Sequence, residues 1–301
     1  MSAVDSPSVE EQGARLETTG YVIPNRIVAR PVPRPGRIIS AIIAGLLLFW
    51  IIWSTARNPV IRWDLVWLYL RDIVVFRGIV WTLLLTFGSM ILAALMAITL
   101  AIMRRSENPV LQYVSWLFIW IFRGTPVYVQ LVFWGLLSVL YPVIRLGVPF
   151  GPTLFTANTG ALISPFWAAL LGLAFNEAAY LAEIVRAGLN SVDAGQSEAA
   201  KALGLSRLQT LRYVILPQAM RVIVPPMGNE TISMLKTTSL VTAIPFTLEL
   251  FYATSAIGNR LYQPIPLLVI ASIWYLVITS ILMVGQYFLE RRFGRGLISA
   301  G

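Results

Sequence analysis

Six long apolar stretches separated by polar segments set the pattern of this chain. The first, Ile38 to Ala56, contains no charged residue, and the others occupy roughly 77–103, 112–140, 162–189, 221–245 and 265–289. A run of ~20 apolar residues is the length at which an α-helix crosses the ~30 Å hydrocarbon core of a bilayer. The pattern therefore predicts an all-α integral membrane protein with about six transmembrane helices, each boundary good to a few residues. Between the first two runs, Trp63, Trp67, Leu70 and Val74 recur at helical spacing. They predict a short helix lying at the outer interface, or else an earlier start to the second span. Residues 1–37 are polar and proline-rich, and read as a disordered cytoplasmic extension. No basic segment opens the chain, whose first charges are Asp5, Glu10 and Glu11, so no cleaved signal peptide is expected.

Composition agrees: 57% of residues are hydrophobic and 12% charged, about half the charged fraction of a soluble domain. With neither cysteine nor histidine, disulfides, thiolate metal sites and imidazole catalysis are excluded, and a membrane hydrolase loses its usual reagents. The net charge of +9 suggests nucleic acid only until its distribution is considered. If the first span runs outward, fourteen cations fall in inside segments and six in outside ones, with Arg123, Arg186 and Lys236 within spans. That asymmetry places both termini in the cytoplasm.

The loop between the fourth and fifth runs, residues 191–217, carries the most information. An Ala-rich helix is expected to end at Gly204, with Glu198 near its N-terminus, complementing the dipole. Ser206 and Gln209 have the spacing of a capping box that opens a second helix, and Pro217 should stop it. A DNA-reading helix-turn-helix has a similar turn, but it normally sits on a soluble domain rather than between two membrane runs.

Glu198-Ala199-Ala200, then Gly204, then Val214-Ile215-Leu216-Pro217 resembles the EAA loop of membrane permeases from binding-protein-dependent ABC importers, with Val214 where isoleucine is usual. The chain is similar to the polar amino-acid subgroup, of histidine, arginine and glutamine type, through Arg123-Gly124-Thr125-Pro126 with Gln130, Ala179-Tyr180 with Glu183 and Arg186, Gly228-Asn229, and Leu235-Lys236 with Thr238-Ser239-Leu240. The resemblance covers about residues 60–295. It implies a bacterial inner-membrane transport subunit, not an enzyme, with a five-helix core over 57–295, an additional N-terminal helix at 38–56 and a tail at 296–301. It further implies that Glu198, Ala199, Ala200, Gly204, Leu216 and Pro217 couple to a cytoplasmic ATPase. A second permease chain, alike or paralogous, and an extracytoplasmic binding protein complete the assembly. ATP and magnesium would be used by the ATPase, and no phosphate-loop motif occurs here.

Arg123, Glu177, Glu230 and Lys236 fall where a lone charge costs ~3 kcal/mol or more, so each needs a partner or a polar pathway. They either pair as structural bridges or receive the carboxylate and ammonium of an amino acid. Gln130 joins them through the motif. Asn229, Ser233 and Lys236 share a helix face, as do Asn176, Tyr180 and Glu183. Pro225, Pro226 and Gly228 are expected to break the fifth span. An ion-coupled secondary transporter could use the same charges, and the EAA loop is what argues against it.

The charge asymmetry predicts that single cysteines at Ser2, Ser206 and Ser299 react with an impermeant maleimide only after the cells are opened. Labelling from outside intact cells would contradict this topology.

Overall fold

The computed structural model describes residues 35–148 and 151–293. The chain divides into two units at Arg57/Asn58. In the first, helix α1 (Pro35–Arg57) presents apolar residues on all sides, and the Arg57 guanidinium lies 3.9 Å over the Trp53 ring. The expected extension overlaps α1 at residues 35–37, where a proline suits the first helical turn because its missing N–H has no partner there anyway. Its remainder, and the tail at 296–301, lie outside the described residues.

The second unit contains α2 (Trp63–Tyr69), α3 (Ile73–Arg104), α4 (Pro109–Gly124), α5 (Val127–Gly135), α6 (Leu137–Leu140), strands β1 (Val143–Gly147) and β2 (Thr153–Asn158), α7 (Thr159–Leu162), α8 (Pro165–Asn190), α9 (Ala194–Ala202), α10 (Arg207–Gln209), α11 (Leu216–Thr237), α12 (Leu250–Leu261) and α13 (Pro264–Phe293). Among the described residues, four helices are long and apolar enough to cross a membrane: α1 from Ile39, α3, α8 and α13. The pair α4 and α5, bent by 103°, makes a fifth if counted as one span.

Two of the six predicted runs are less regular than the pattern suggests. The run at 112–140 is broken, because Pro126 holds Thr125 in extended backbone (φ −115°, ψ 143°) and ends α4 one residue earlier. The run at 221–245 forms α11, which is 22 residues long but carries Arg221, Glu230 and Lys236 and falls short of the apolarity of a lipid-facing span. Neither Pro225 nor Pro226 breaks it. The carbonyls they leave without helical donors, those of Arg221 and Val222, belong to residues at exposed positions. The interfacial helix is also shorter than expected: it ends at Tyr69, and Asp72 caps a new helix by accepting from the Val74 N–H at 2.7 Å. Val74 therefore belongs to α3.

Helix α8 lies at the centre of this unit and is the most enclosed of the four apolar helices. Its buried Ala168, Ala169, Gly172, Ala178 and Ala182 let α3, α4, α5 and α11 approach closely, the way small residues promote helix packing where lipid offers no hydrophobic drive. A methyl group on Gly172 would come within 2.9 Å of Leu131 on α5. A second apolar cluster joins Val66, Val75, Leu250, Ile257, Leu267 and Ile270 at the other side of α3. The β1/β2 hairpin, paired from Val143↔Asn158 to Gly147↔Thr153 with an irregularity at Leu146/Gly147, is a small addition to the all-helical fold.

Between the two clusters sits Glu249, fully buried. Its carboxylate caps α12 by accepting from the backbone N–H of Phe251 (2.7 Å) and Tyr252 (3.4 Å), and it accepts from Thr82 Oγ1 at 2.8 Å, Thr238 Oγ1 at 3.4 Å and the Tyr275 hydroxyl. Thr82 Oγ1 in turn accepts from the Leu250 N–H at 3.2 Å. One carboxylate thereby ties α3, α12, α13 and the 3-10 turn at Thr238–Ala243 together. Thr82→Val should unfold more readily in detergent, by about 1–3 kcal/mol, because it removes a donor to Glu249 and orphans a buried N–H. Thr82→Ser should melt like the parent. Equal melting of both variants would mean that this network contributes nothing.

Candidate functional site

The 191–217 loop is a rigid, capped hairpin of helices. Asp193 opens α9 by accepting from the Gly195 N–H at 2.8 Å. At the other end, the Leu205 N–H donates to Ala200 O (3.1 Å) and the Gly204 N–H to Lys201 O (2.9 Å), the pattern of a Schellman cap. Gly204 has φ +77°, a conformation in which a side chain is strained. Ser206 then opens α10 through the expected reciprocal capping box with Gln209. Ala200 is buried against the following helix, whereas Glu198 and Ala199 face outward. Leu203 and Leu208 are 81% and 73% exposed, and Leu216 and Pro217 are exposed as well.

Two expectations for this loop are corrected. Glu198 lies in the middle of α9 rather than near its start, because the cap is Asp193 and helix residues begin at Ala194. It stands beyond the first turn, where the dipole acts. Nor does Pro217 stop the second helix. A π-helical turn over Thr210–Ile215, in which the Leu216 N–H reaches back to Leu211 O, widens the backbone ahead of the proline, and α11 continues unbroken to Thr237. The hairpin is therefore rooted directly in α11, and Gln218 Nε2 on α11 also reaches Gln196 Oε1 on α9 at 3.3 Å.

The candidate pathway residues divide among four places. Gln130 and Asn176 brace the bend between α4 and α5: both side-chain amides donate to the Phe122 carbonyl, at 3.0 and 2.9 Å, and Gln130 Nε2 also reaches Thr125 Oγ1 at 2.8 Å. They occupy a carbonyl that the end of α4 leaves without a helical donor. Arg123 and Tyr180 line a cleft of about 610 Å³ together with Arg104 and Arg186. The Arg123 guanidinium lies 5.2 Å from the Tyr180 ring centre, and Arg186 pairs with Glu183 at 2.5 Å. Asn229, Glu230, Ser233 and Lys236 line a different cleft of about 540 Å³ between α11 and α13, completed by Gln286 and Glu290. Asn229, Ser233 and Lys236 form one exposed stripe, as their spacing predicts. Glu177 lines neither cleft. It is buried on α8, with Oε1 lacking a hydrogen-bond partner.

Among the described residues Arg123, Glu177, Glu230 and Lys236 form no ion pair. No structural bridge among these four is seen within the described residues of this chain. Sequence reasoning missed two contributors. Glu249 follows the fifth apolar run, where it passes for a loop residue, yet an acid directly before Leu250-Phe251-Tyr252 has the position of a helix cap. Glu290 looks like an ordinary solvated charge near the end of the last run until α13 brings it into the cleft that Lys236 also lines. Close approach of the two helices depends on Gly228, since a Cβ there would collide with the Gln286 side chain; Gln286 Nε2 instead donates to Pro225 O and to Glu290 Oε1, both at 2.8 Å.

Known proteins resemble this chain over most of its length. The Arginine transport system permease protein ArgU of Corynebacterium glutamicum is 52% identical over 274 residues, 91% of this chain and 85% of that one. The Histidine/lysine/arginine/ornithine transport system permease protein HisM of Salmonella typhimurium is 35% identical over 210 residues, 69% of this chain and 85% of that protein. A crystal structure of an amino acid ABC transporter with histidines contains a chain with 33% sequence identity and a TM-score of 0.60, covering 73% of this chain and 94% of that one. The fold is shared with the methionine transporter MetNI at 17% identity and a TM-score of 0.58. Residues 89–295 match the family described as binding-protein-dependent transport system inner membrane component, and with that match and those relatives the chain belongs to this family of permease subunits.

Proposed function

We propose that this permease subunit imports an amino acid with a cationic side chain, received from an extracytoplasmic binding protein and driven by a separate cytoplasmic ATPase that holds the nucleotide and magnesium. The observation that carries the substrate reading is the charge set of the α11/α13 cleft: Lys236 with Glu230 and Glu290. An arginine-type solute brings one carboxylate and two cations, the complement of one ammonium and two carboxylates. The cleft volume lies in the ~300–1,000 Å³ range of small-molecule sites. The 52% identity to an arginine permease supports the same class. The exposed stripe of Asn229, Ser233 and Lys236 would be costly against lipid, and a second permease chain facing it gives the pathway its other wall. In this reading the 191–217 hairpin and both termini are cytoplasmic. Glu198, Ala199, Leu203 and Leu208 form the face offered to the ATPase, and motion there passes into the pathway through the unbroken π-turn and α11.

Lys236→Met and Glu230→Gln should each lower uptake of radiolabelled arginine at subsaturating concentration about tenfold or more, the loss of one charge-assisted hydrogen bond. The ATPase should still co-purify with both. Normal uptake by both variants would remove this cleft from the pathway.

Gly204→Val should misplace α10 and Glu198→Lys should reverse a charge on the outward face. We expect both proteins to insert and fold, yet to bind the ATPase poorly or to lose stimulation of hydrolysis by loaded binding protein. Wild-type stimulation together with wild-type uptake in both variants would show that the hairpin is not the coupling element.

A further inference from the structure

The α11/α13 cleft and the cleft between α3, α4 and α8 differ in the sign of their charge. Arg104, Arg123 and Arg186 line the second, and its only acid is Glu183, which is engaged by Arg186 through Nε at 2.9 Å and Nη2 at 2.5 Å. Arg104 and Arg123 are in no ion pair among the described residues. Arg104 closes α3, and Arg186 stands one turn before the end of α8. Arg104 and Arg186 therefore stand at the ends of two spanning helices, at the depth where headgroups begin, whereas Arg123 stands at the far end of α4.

The wall of this cleft is aromatic. Tyr113, Trp116 and Trp120, spaced i, i+3 and i+7 along one face of α4, are all exposed. Tyr113 and Trp116 lie 5.7 Å apart, and Trp116 and Trp120 stack at 6.0 Å with an interplanar angle of 11°. A free inorganic anion would need only the guanidinium groups. Cations beside an exposed aromatic stripe suit an amphiphile, with its charge at the interface and its chains along the helix.

We propose that this cleft binds the headgroup of an anionic phospholipid, with Arg104 and Arg186 at its phosphate. Guanidinium groups match phosphate oxygens through paired N–H donors, and basic pockets between spanning helices are suited to anionic headgroups. The site is independent of which solute the permease carries.

The test is native mass spectrometry of the full chain, purified with its accompanying subunits and equilibrated with equal phosphatidylglycerol and phosphatidylcholine of the same chain length. The parent protein should retain phosphatidylglycerol preferentially. Arg104→Gln should lower that retention about fivefold, and Arg104→Gln with Arg186→Gln should lower it further. Arg104→Lys should retain most of it, and Arg105→Gln, which removes the same charge one residue outside the cleft, should leave it unchanged. No preference in the parent protein, or equal losses from Arg104→Gln and Arg105→Gln, would overturn the site. Displacement of the lipid by millimolar inorganic phosphate would make it a phosphate site. Efficient crosslinking between two copies carrying Trp120→Cys would place a protein partner in the cleft, and that too would overturn the proposal.

Discussion

The architecture of residues 58–293 depends on how closely other helices can approach α8. In lipid, apolar side chains gain nothing by leaving their surroundings, so association rests on contact at short range and on internal satisfaction of polar groups. Ala168, Ala169, Gly172, Ala178 and Ala182 give α8 a surface almost without side chains, and α3, α5 and α11 come down on it. Two consequences follow for function. Glu177 is enclosed on the same helix, and the bend between α4 and α5 is braced from α8 through Asn176. A larger residue along this surface would disturb the packing and both polar features together.

Proline and glycine decide where the spanning helices turn, and they do so differently at each site. At Thr125-Pro126 the proline restricts its predecessor and the chain bends by 103°, leaving the Phe122 carbonyl to two side-chain amides. At Pro217 the preceding π turn absorbs the same defect and the helix runs on. Gly204, by contrast, reverses the chain in a tight cap with its own hydrogen bonds. The coupling hairpin is thereby firm at its tip and continuous with a membrane helix at its base, the arrangement a force-transmitting element requires.

Local chemistry in this sequence is easy to read, while long-range packing is not. Ser206 with Gln209 and the left-handed Gly204 follow from spacing alone, because a cap is made by residues within one turn of each other. Apolar run length located α1, α3, α8 and α13. It reads less cleanly for α11, where Arg221, Glu230 and Lys236 lie on a 22-residue helix, and for the 112–140 run, where one proline bends the chain. The same kind of proline at 217 did not end its helix, since the remedy, a wider turn over Thr210–Ile215, is invisible in composition. Which charges share a cleft could not be read either. Lys236 and Glu290 line one cleft because α13 approaches α11 at Gly228, and Arg123 lines the other, against the Tyr180 ring of α8.

The central claim is that solute movement through this chain is powered by a separate ATPase. Its most direct test is radiolabelled arginine uptake into proteoliposomes containing the chain, the ATPase and the binding protein, with ATP supplied on the ATPase side and all ion gradients collapsed by ionophores. The account predicts uptake that requires both ATP and the binding protein and is unaffected by the ionophores. Uptake driven by an imposed ion gradient without ATP would contradict it.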